Sequence, residues 1–280
     1  MTRREALFSG FSLLACAPVA LAGCSSSGNA SGSASSSSKG SGTLRVGVRD
    51  NIVGFGQYNS TTGKYYGLEI DIAEQMATRM GYASCEYVTV TPDTRKQMLQ
   101  EGQVDCIAAC YSASEHREEN FDFSPAYYTD AIVLMVEKSS LISSVEDLSG
   151  GTIGTRAGAN TAAYVATNLA ERGFSSGEVL SANEDNTDVT FDTWHLLEYE
   201  TYDELSDALE RGEIDALAAD GAIANSYMDD KRQTLADYKA ASQDYAVATQ
   251  KGSELSTKVS EAIQAMLDDG TISDLIDKWN

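Results

Sequence analysis

The sequence is poor in positive charge. It sets 20 lysines and arginines against 42 aspartates and glutamates over 280 residues, a net charge of −22. Nucleic-acid binding draws on a surplus of cations to displace phosphate counterions, so the composition excludes that class of partner. Histidine is nearly absent, with only His116 and His195. The five cysteines and two histidines show no paired spacing of the kind a structural zinc site uses, and no metal or other cofactor is expected. Beyond residue 25 no apolar run reaches the 18 residues that a membrane-spanning helix needs. What is present in quantity is apolar residue, at 42% of the chain, and enough length for about two domains. A disordered acidic tail has neither.

The start of the chain reads as an address. Arg3 and Arg4 give a basic beginning and residues 11–22 a short apolar run. Leu21-Ala22-Gly23-Cys24 then matches the lipobox of bacterial lipoproteins. Small residues there admit the signal peptidase, and the Cys24 thiol takes the lipid, which predicts a signal peptide of residues 1–23. The alternative is a plain secretory signal that happens to end before a cysteine. Thr2-Arg3-Arg4 also resembles a twin-arginine signal, but Ala6 stands where that motif prefers Phe, so the export route stays open. Cleavage before Cys24 removes two arginines and one glutamate, leaving the mature chain one charge more acidic. Cys85, Cys106 and Cys110 then remain, an odd number that argues against a disulfide framework and for small buried residues. Residues 25–42 are almost wholly Ser, Gly, Ala and Asn. With the lipidated Cys24 they predict a flexible tether reaching roughly 20–25 Å, which holds a globular body at the outer face of the cell membrane.

From Thr43 the pattern becomes regular. Residues 44–48 predict a buried strand, and Leu68, Ile72, Met76 and Met80 stripe one face of a helix. Residues 86–90 predict a strand, Asp93 an N-cap for a helix running through Leu99, and residues 104–109 another strand. Alternation of this kind implies a parallel sheet covered by helices. A second series follows: strands at 131–136 and 152–155, helices at 161–169 and 202–209, a strand at 215–219, a helix at 222–228, and a strand at 245–248. Leu255, Val259, Ile263, Met266 and Leu267 stripe a closing helix. The expected fold is therefore α/β with two lobes, one of residues 43–128 and 243–280, the other of 129–242. Short crossing strands near Tyr128 and Gln243 would join them. Ligands of open α/β sheets sit at the carboxyl ends of strands, which places the default site in the cleft between the lobes. Gly150-Gly151-Thr152-Ile153-Gly154 follows no dinucleotide or phosphate-loop spacing and reads as turn chemistry.

Several short motifs, in order along residues 44–280, carry a resemblance. They are Gly67-Leu68-Glu69-Ile70-Asp71, Gly102-Gln103-Val104-Asp105, Ser112 with Arg117 five residues on, and Phe121-Asp122-Phe123-Ser124 with Tyr127-Tyr128. Asp215-Ala216-Leu217-Ala218-Ala219-Asp220 and Asp269-Gly270-Thr271 with Lys278-Trp279 complete the set. Each is weak alone. Together they resemble the extracellular solute-binding proteins of family 3, the polar amino-acid receptors of ABC importers. The resemblance implies the type II fold of periplasmic binding proteins, an amino-acid ligand, and a membrane permease with its ATPase as partners.

It also implies roles for single residues. Arg117 stands at the position of the carboxylate-binding arginine, a planar fork of donors suited to that group. Ser112 can bond either end of the ligand, and the Cys110 carbonyl can accept from the ammonium. Asp220 matches the ammonium acceptor; a helix N-cap is its bland alternative. Gly158-Ala159-Asn160-Thr161 departs from the family's glycine-hydroxyl pattern, so Asn160 or Thr161 would supply the polar contact. Arg49 and Arg95 stand where members that bind acidic side chains carry arginines, and a second buried carboxylate needs its own cation. Phe55 and Tyr58 stand where an aromatic covers the ligand stem, with lobe packing as the alternative, and Tyr111 reads similarly.

These positions imply an acidic amino acid, glutamate first. Glutamine or another polar amino acid is the alternative, and a secreted enzyme like the cyclohexadienyl dehydratases is a further one on the same fold. No nucleophile elbow or metal pair supports an enzyme. The acidic segment from Asn183 to Asp192 reads as a solvated loop insertion, and His195 as structural.

Overall fold

A computed structural model describes residues 41–279. Residues 1–40 and Asn280 lie outside it, and with them the expected signal peptide, Cys24 and nearly all of the expected tether. Among the described residues no helix is long and apolar enough to cross a membrane.

The first helix, Leu68–Arg79, forms where the four-residue stripe lies, and Leu68, Ile72, Ala73 and Met76 are all buried. Gly67 precedes it at φ 136. A Cβ there would sit 2.1 Å from the Phe55 carbonyl oxygen, so the tight entrance to the helix demands glycine. This helix covers a five-stranded sheet in the order 84–89, 43–48, 106–107, 248–250, 121–123. The strand Thr43–Val48 pairs in parallel with Ser84–Thr89 along its whole length and with Cys106–Ile107 on its other side. The strand Ala248–Gln250 returns antiparallel beside Cys106–Ile107, which is how the end of the chain rejoins the first lobe. The terminal helices Glu254–Asp268 and Thr271–Trp279 pack there too. Lys278 Nζ and Trp279 Nε1 both reach Asp71 Oδ2, at 2.6 and 2.7 Å.

The second lobe holds an eight-stranded sheet. Its order is 179–182, 188–191, 195–199, 152–156, 216–220, 128–137, 232–234, with 240–245 also on the 128–137 strand. The helix Tyr202–Glu210 begins at a capping box, Thr201 with Glu204, as its sequence favours. Thr161–Glu171 and Gly221–Ser226 are the other helices of this lobe. Two chains cross between the lobes. The strands Tyr128–Glu137 and Ala240–Tyr245 pair antiparallel with Tyr128 opposite Tyr245. Phe55, Tyr128 and Tyr245 interlock at the crossing, with Phe55 edge-on to both tyrosines at 4.9 and 6.0 Å. Burying rings of this size stabilises the crossing by about 1.5–3 kcal/mol each.

Three local expectations are corrected. Asp93 does not cap a helix: the helix is Arg95–Gln100, and the Thr94 hydroxyl accepts from the Thr91 amide at 2.9 Å instead. That closes the turn without Asp93 and leaves its carboxylate for Arg156. The strand expected over 104–109 pairs only at Cys106–Ile107, because the chain turns sharply at Cys110, at φ 45. The segment from Asn183 to Asp192 is a hairpin turn and strand rather than a loop. Asn183 Oδ1 accepts from the amides of Thr187 and Asp188, at 2.9 and 3.1 Å, and His195 Nε2 lies 2.7 Å from Asp188 Oδ1.

Candidate functional site

Three arginines converge from the first lobe. Arg49 follows the first strand, is 4% exposed, and donates to Asn51 Oδ1 at 3.0 Å, while its Nε is buried without a partner. Arg95 opens its helix and points inward, giving a hydrogen bond of 3.2 Å to the Ala109 carbonyl. Arg117 belongs to the short helix Glu115–Glu118 and donates to both the carbonyl and the hydroxyl of Ser112, at 2.7 and 2.8 Å. The Tyr111 ring lies against two of them, with guanidinium carbons 3.9 Å (Arg95) and 4.6 Å (Arg117) from its centroid.

None of the three pairs with a carboxylate. The arginine ion pairs of the described residues use Arg45, Arg79, Arg156, Arg211 and Arg232. Burial, aided by the charge of Arg117, pulls the Arg95 guanidinium down to about 10. Burial lowers Arg117 as well. Cations held together at such a cost call for an anion between them.

The second lobe answers with one carboxylate. Asp220 ends the strand Ala216–Asp220 and is 8% exposed. Burial pushes it up to about 6, against the hydrogen bond that Tyr245 donates to Oδ2 at 2.8 Å. Asp220 occupies the N-cap position of the helix Gly221–Ser226 but makes no capping bond. Asp130 caps instead, its Oδ2 accepting from the Ala222 amide at 2.8 Å. Gly158 turns the facing loop at φ 74, where a Cβ would come 3.2 Å from Asp93 Oδ1. Asn160 carries a buried Nδ2 without a partner, and Thr161 is buried.

Arg49, Arg95, Cys110 and Arg117 of one lobe meet Asn160, Thr161 and Asp220 of the other around a cavity of ≈ 20 Å³. That is room for about one water. Wider clefts of ≈ 590 and ≈ 770 Å³ flank it, and Gly158 lines both. The lobes are drawn together by Arg156 on Asp93, a two-point ion pair with one bond of 3.1 Å, and by the Val53 amide on Ser226 Oγ at 2.9 Å. Tyr111 and Ser112 stand behind the arginines rather than in the small cavity. Phe55 lies outside it too, in the aromatic crossing, and Tyr58 is 47% exposed against Tyr65.

Sequence reasoning missed the residues behind this wall. Tyr202, Pro92, Ala159 and Ile223 also line the cavity. Glu69 is fully buried, and its Oε1 accepts from the Cys110 amide at 2.6 Å and the Tyr127 hydroxyl at 2.5 Å. Those bonds hold Cys110 in the left-handed conformation that only glycine adopts freely. Burial raises the Glu69 carboxyl, opposed by both donors. The visible signal for Glu69 was a carboxylate in the otherwise apolar face of the first helix. Nothing in the sequence singled out Tyr127, Asp130 or Tyr245 for these contacts. Among the described residues no group of three or more His, Cys, Asp or Glu is placed to hold a metal.

The chain is similar to known amino-acid-binding proteins. Over 237 residues the chain is 31% identical to the ABC transporter glutamine-binding protein GlnH of Bacillus subtilis strain 168, covering 83% of this chain and 79% of that protein. It is 25% identical over 280 residues to the glutamate-binding protein GluB of Corynebacterium glutamicum, covering 94% and 86%. A solved ancestral arginine-binding protein bound to arginine superposes with a TM-score of 0.68 at 27% identity, covering 85% of this chain and 98% of that one. Its likeness and that of its relatives give the α/β fold as the two-lobed type II form of periplasmic binding proteins. Residues 44–280 match the bacterial extracellular solute-binding proteins of family 3, and the chain belongs to that family of amino-acid-binding proteins.

Proposed function

We propose that this chain captures an acidic amino acid, glutamate first, between its lobes and delivers it to the permease and ATPase of an ABC importer. One observation carries the choice of ligand: three guanidiniums without carboxylate partners, Arg49 and Arg95 buried and Arg117 half-buried, face a single carboxylate across the cavity. A zwitterion brings one negative and one positive group. A second carboxylate brings the further negative charge that Arg49 and Arg95 are placed to hold, while Asp220 takes the ammonium. A cavity this small also means that the lobes part to admit the ligand and close on it.

Glutamine is the second reading, favoured by the likeness to a glutamine-binding relative. Its amide carbonyl can accept from an arginine but brings no charge, so glutamine leaves one more cation uncompensated than glutamate does. Titration calorimetry of the purified protein with glutamate, aspartate, glutamine, arginine and histidine separates them. Glutamate is expected to bind at least tenfold more tightly than glutamine. Equal or tighter binding of glutamine, or of a basic amino acid, overturns the acidic ligand.

The role is binding without turnover, so prephenate offered to the protein should come back unchanged. The lipobox supports a lipid on Cys24 holding the protein to the outer face of the cell membrane. Incorporation of a labelled fatty acid that disappears in Cys24→Ser is the expected result. Equal labelling of both forms removes the anchor.

A further inference from the structure

Tyr245 joins both halves of the site. Its backbone belongs to the first lobe's wall: Tyr127 donates its amide to the Tyr245 carbonyl at 2.9 Å, and Ser112 bridges to Tyr245. The next residue, Ala246, donates to the Tyr111 carbonyl at 3.1 Å. Tyr111 and Ser112 are the residues on which Arg117 rests. The Tyr245 ring is fully buried, stacked on Tyr128 and met edge-on by Phe55, so its direction is fixed.

The hydroxyl crosses to the second lobe. It lies 2.8 Å from Asp220 Oδ2 and 3.2 Å from Asp130 Oδ2. One hydroxyl has one proton to donate. Both Asp130 oxygens already accept backbone amides, from Ala131 at 2.7 Å and Ala222 at 2.8 Å. The shorter bond and the poorer acceptor supply both favour Asp220.

We propose that Tyr245 is a positioning residue for ligand capture: its hydroxyl holds the Asp220 carboxylate ionised and in place, leaving the second oxygen for the ligand ammonium. This rests on the reading of Asp220 as the ammonium acceptor and not on which amino acid binds. Asp220 is faced by Asp130, which raises its affinity for a proton, and by Arg95 and Arg117, which lower it. Cys110 and Tyr202 face it as neutral groups at physiological pH, since burial raises both. Without the Tyr245 proton, the burial that already brings Asp220 to about 6 is less opposed.

The test is the pH dependence of affinity between about pH 5 and pH 8.5, by calorimetry, with whichever amino acid the protein binds most tightly. Wild type is expected to bind evenly above neutral pH and to weaken by about tenfold per unit below about pH 6, as Asp220 takes up its proton. In Tyr245→Phe the break moves to higher pH, so the loss relative to wild type is full in acid, falls through neutrality and vanishes in alkali. In Asp130→Asn the break moves to lower pH. Opposite shifts in these two variants support the proposal. A Tyr245→Phe loss that is equal at every pH, beside a pH-dependent wild type, makes Tyr245 a packing residue and overturns the proposal alone. Wild-type affinity in Asp220→Asn overturns the ammonium contact and the proposal with it. Should Tyr245→Phe fail to fold, 3-fluorotyrosine at position 245 takes its place: as a stronger hydrogen-bond donor it should move the break to lower pH, and an unmoved break overturns the proposal.

Discussion

The two halves of the cleft are built differently. The first lobe presents three arginines, Arg49 and Arg95 buried and Arg117 half-buried, the last two braced by Tyr111, Ser112 and the carbonyls of the Ala109–Cys110 turn. Its contacts are made within that lobe, so its half of the site is assembled before any ligand arrives. The second lobe presents one carboxylate, an unpartnered Asn160 amide and a glycine turn. Its Asp220 leans on Tyr245, a residue whose backbone is tied to the other lobe. The difference teaches an order of events. On the proposed function, charge would be read first on the first lobe's surface, and the second lobe would complete the contact on closing.

The largest effect should come from breaking the rigid half. Arg117→Ala is expected to weaken ligand binding by about 2–5 kcal/mol, as losing one partner of a buried charge pair does. Unchanged affinity by calorimetry would take Arg117 out of the site. Next, Glu69→Ala should lower folding stability by about 2–4 kcal/mol in chemical denaturation, since it leaves the Tyr127 hydroxyl and the Cys110 amide unpaired in the interior. A variant as stable as wild type would mean that the Cys110 turn holds itself.

Specificity sharpens the comparison further. Arg95→Gln is expected to cost glutamate about 1.5–3 kcal/mol and glutamine much less. Equal losses would show that Arg95 does not read side-chain charge. The smallest effect belongs to closure. Asp93→Asn removes the exposed partner of Arg156 and should cost about 1 kcal/mol or less, seen as faster ligand release that diminishes as salt rises. Release rates that match wild type at low salt would deny the ion pair a part in holding the lobes shut.

Much of this was legible in the sequence, for reasons that particular residues make plain. The stripe Leu68, Ile72, Met76 predicts the first helix because a four-residue repeat of apolar residues is local information. Arg49, Arg95 and Arg117 were identifiable from short motifs around each, and the structure brings all three to one cavity. Asp93 misled because its local context suits an N-cap, whereas its partner Arg156 lies 63 residues away. Asp130 was passed over for the same reason: it caps a helix that begins 91 residues after it in the chain. The hairpin at Asn183 was obscured by its acidic residues, which favour solvent: Glu184 and Asp185 lie in its turn and Asp188 is exposed on its strand. Phe55 fitted two roles equally in sequence, and its edge-on contacts with Tyr128 and Tyr245 place its ring in the crossing, a long-range arrangement no local pattern shows.

Cys110 carries a last consequence. It lines the cavity of a protein whose family works outside the cell, where disulfides form and persist. Cys106 is fully buried beside it in sequence space, and neither is bonded to another cysteine. Burial raises both thiols well above their ordinary range, and the neighbouring Glu69 carboxylate pushes Cys110 up further. Oxidation begins from the thiolate, so a sulfur held protonated is a poor target for peroxide or disulfide exchange. The carboxylate that shapes the Cys110 turn thereby also favours the protonated thiol, the less reactive form.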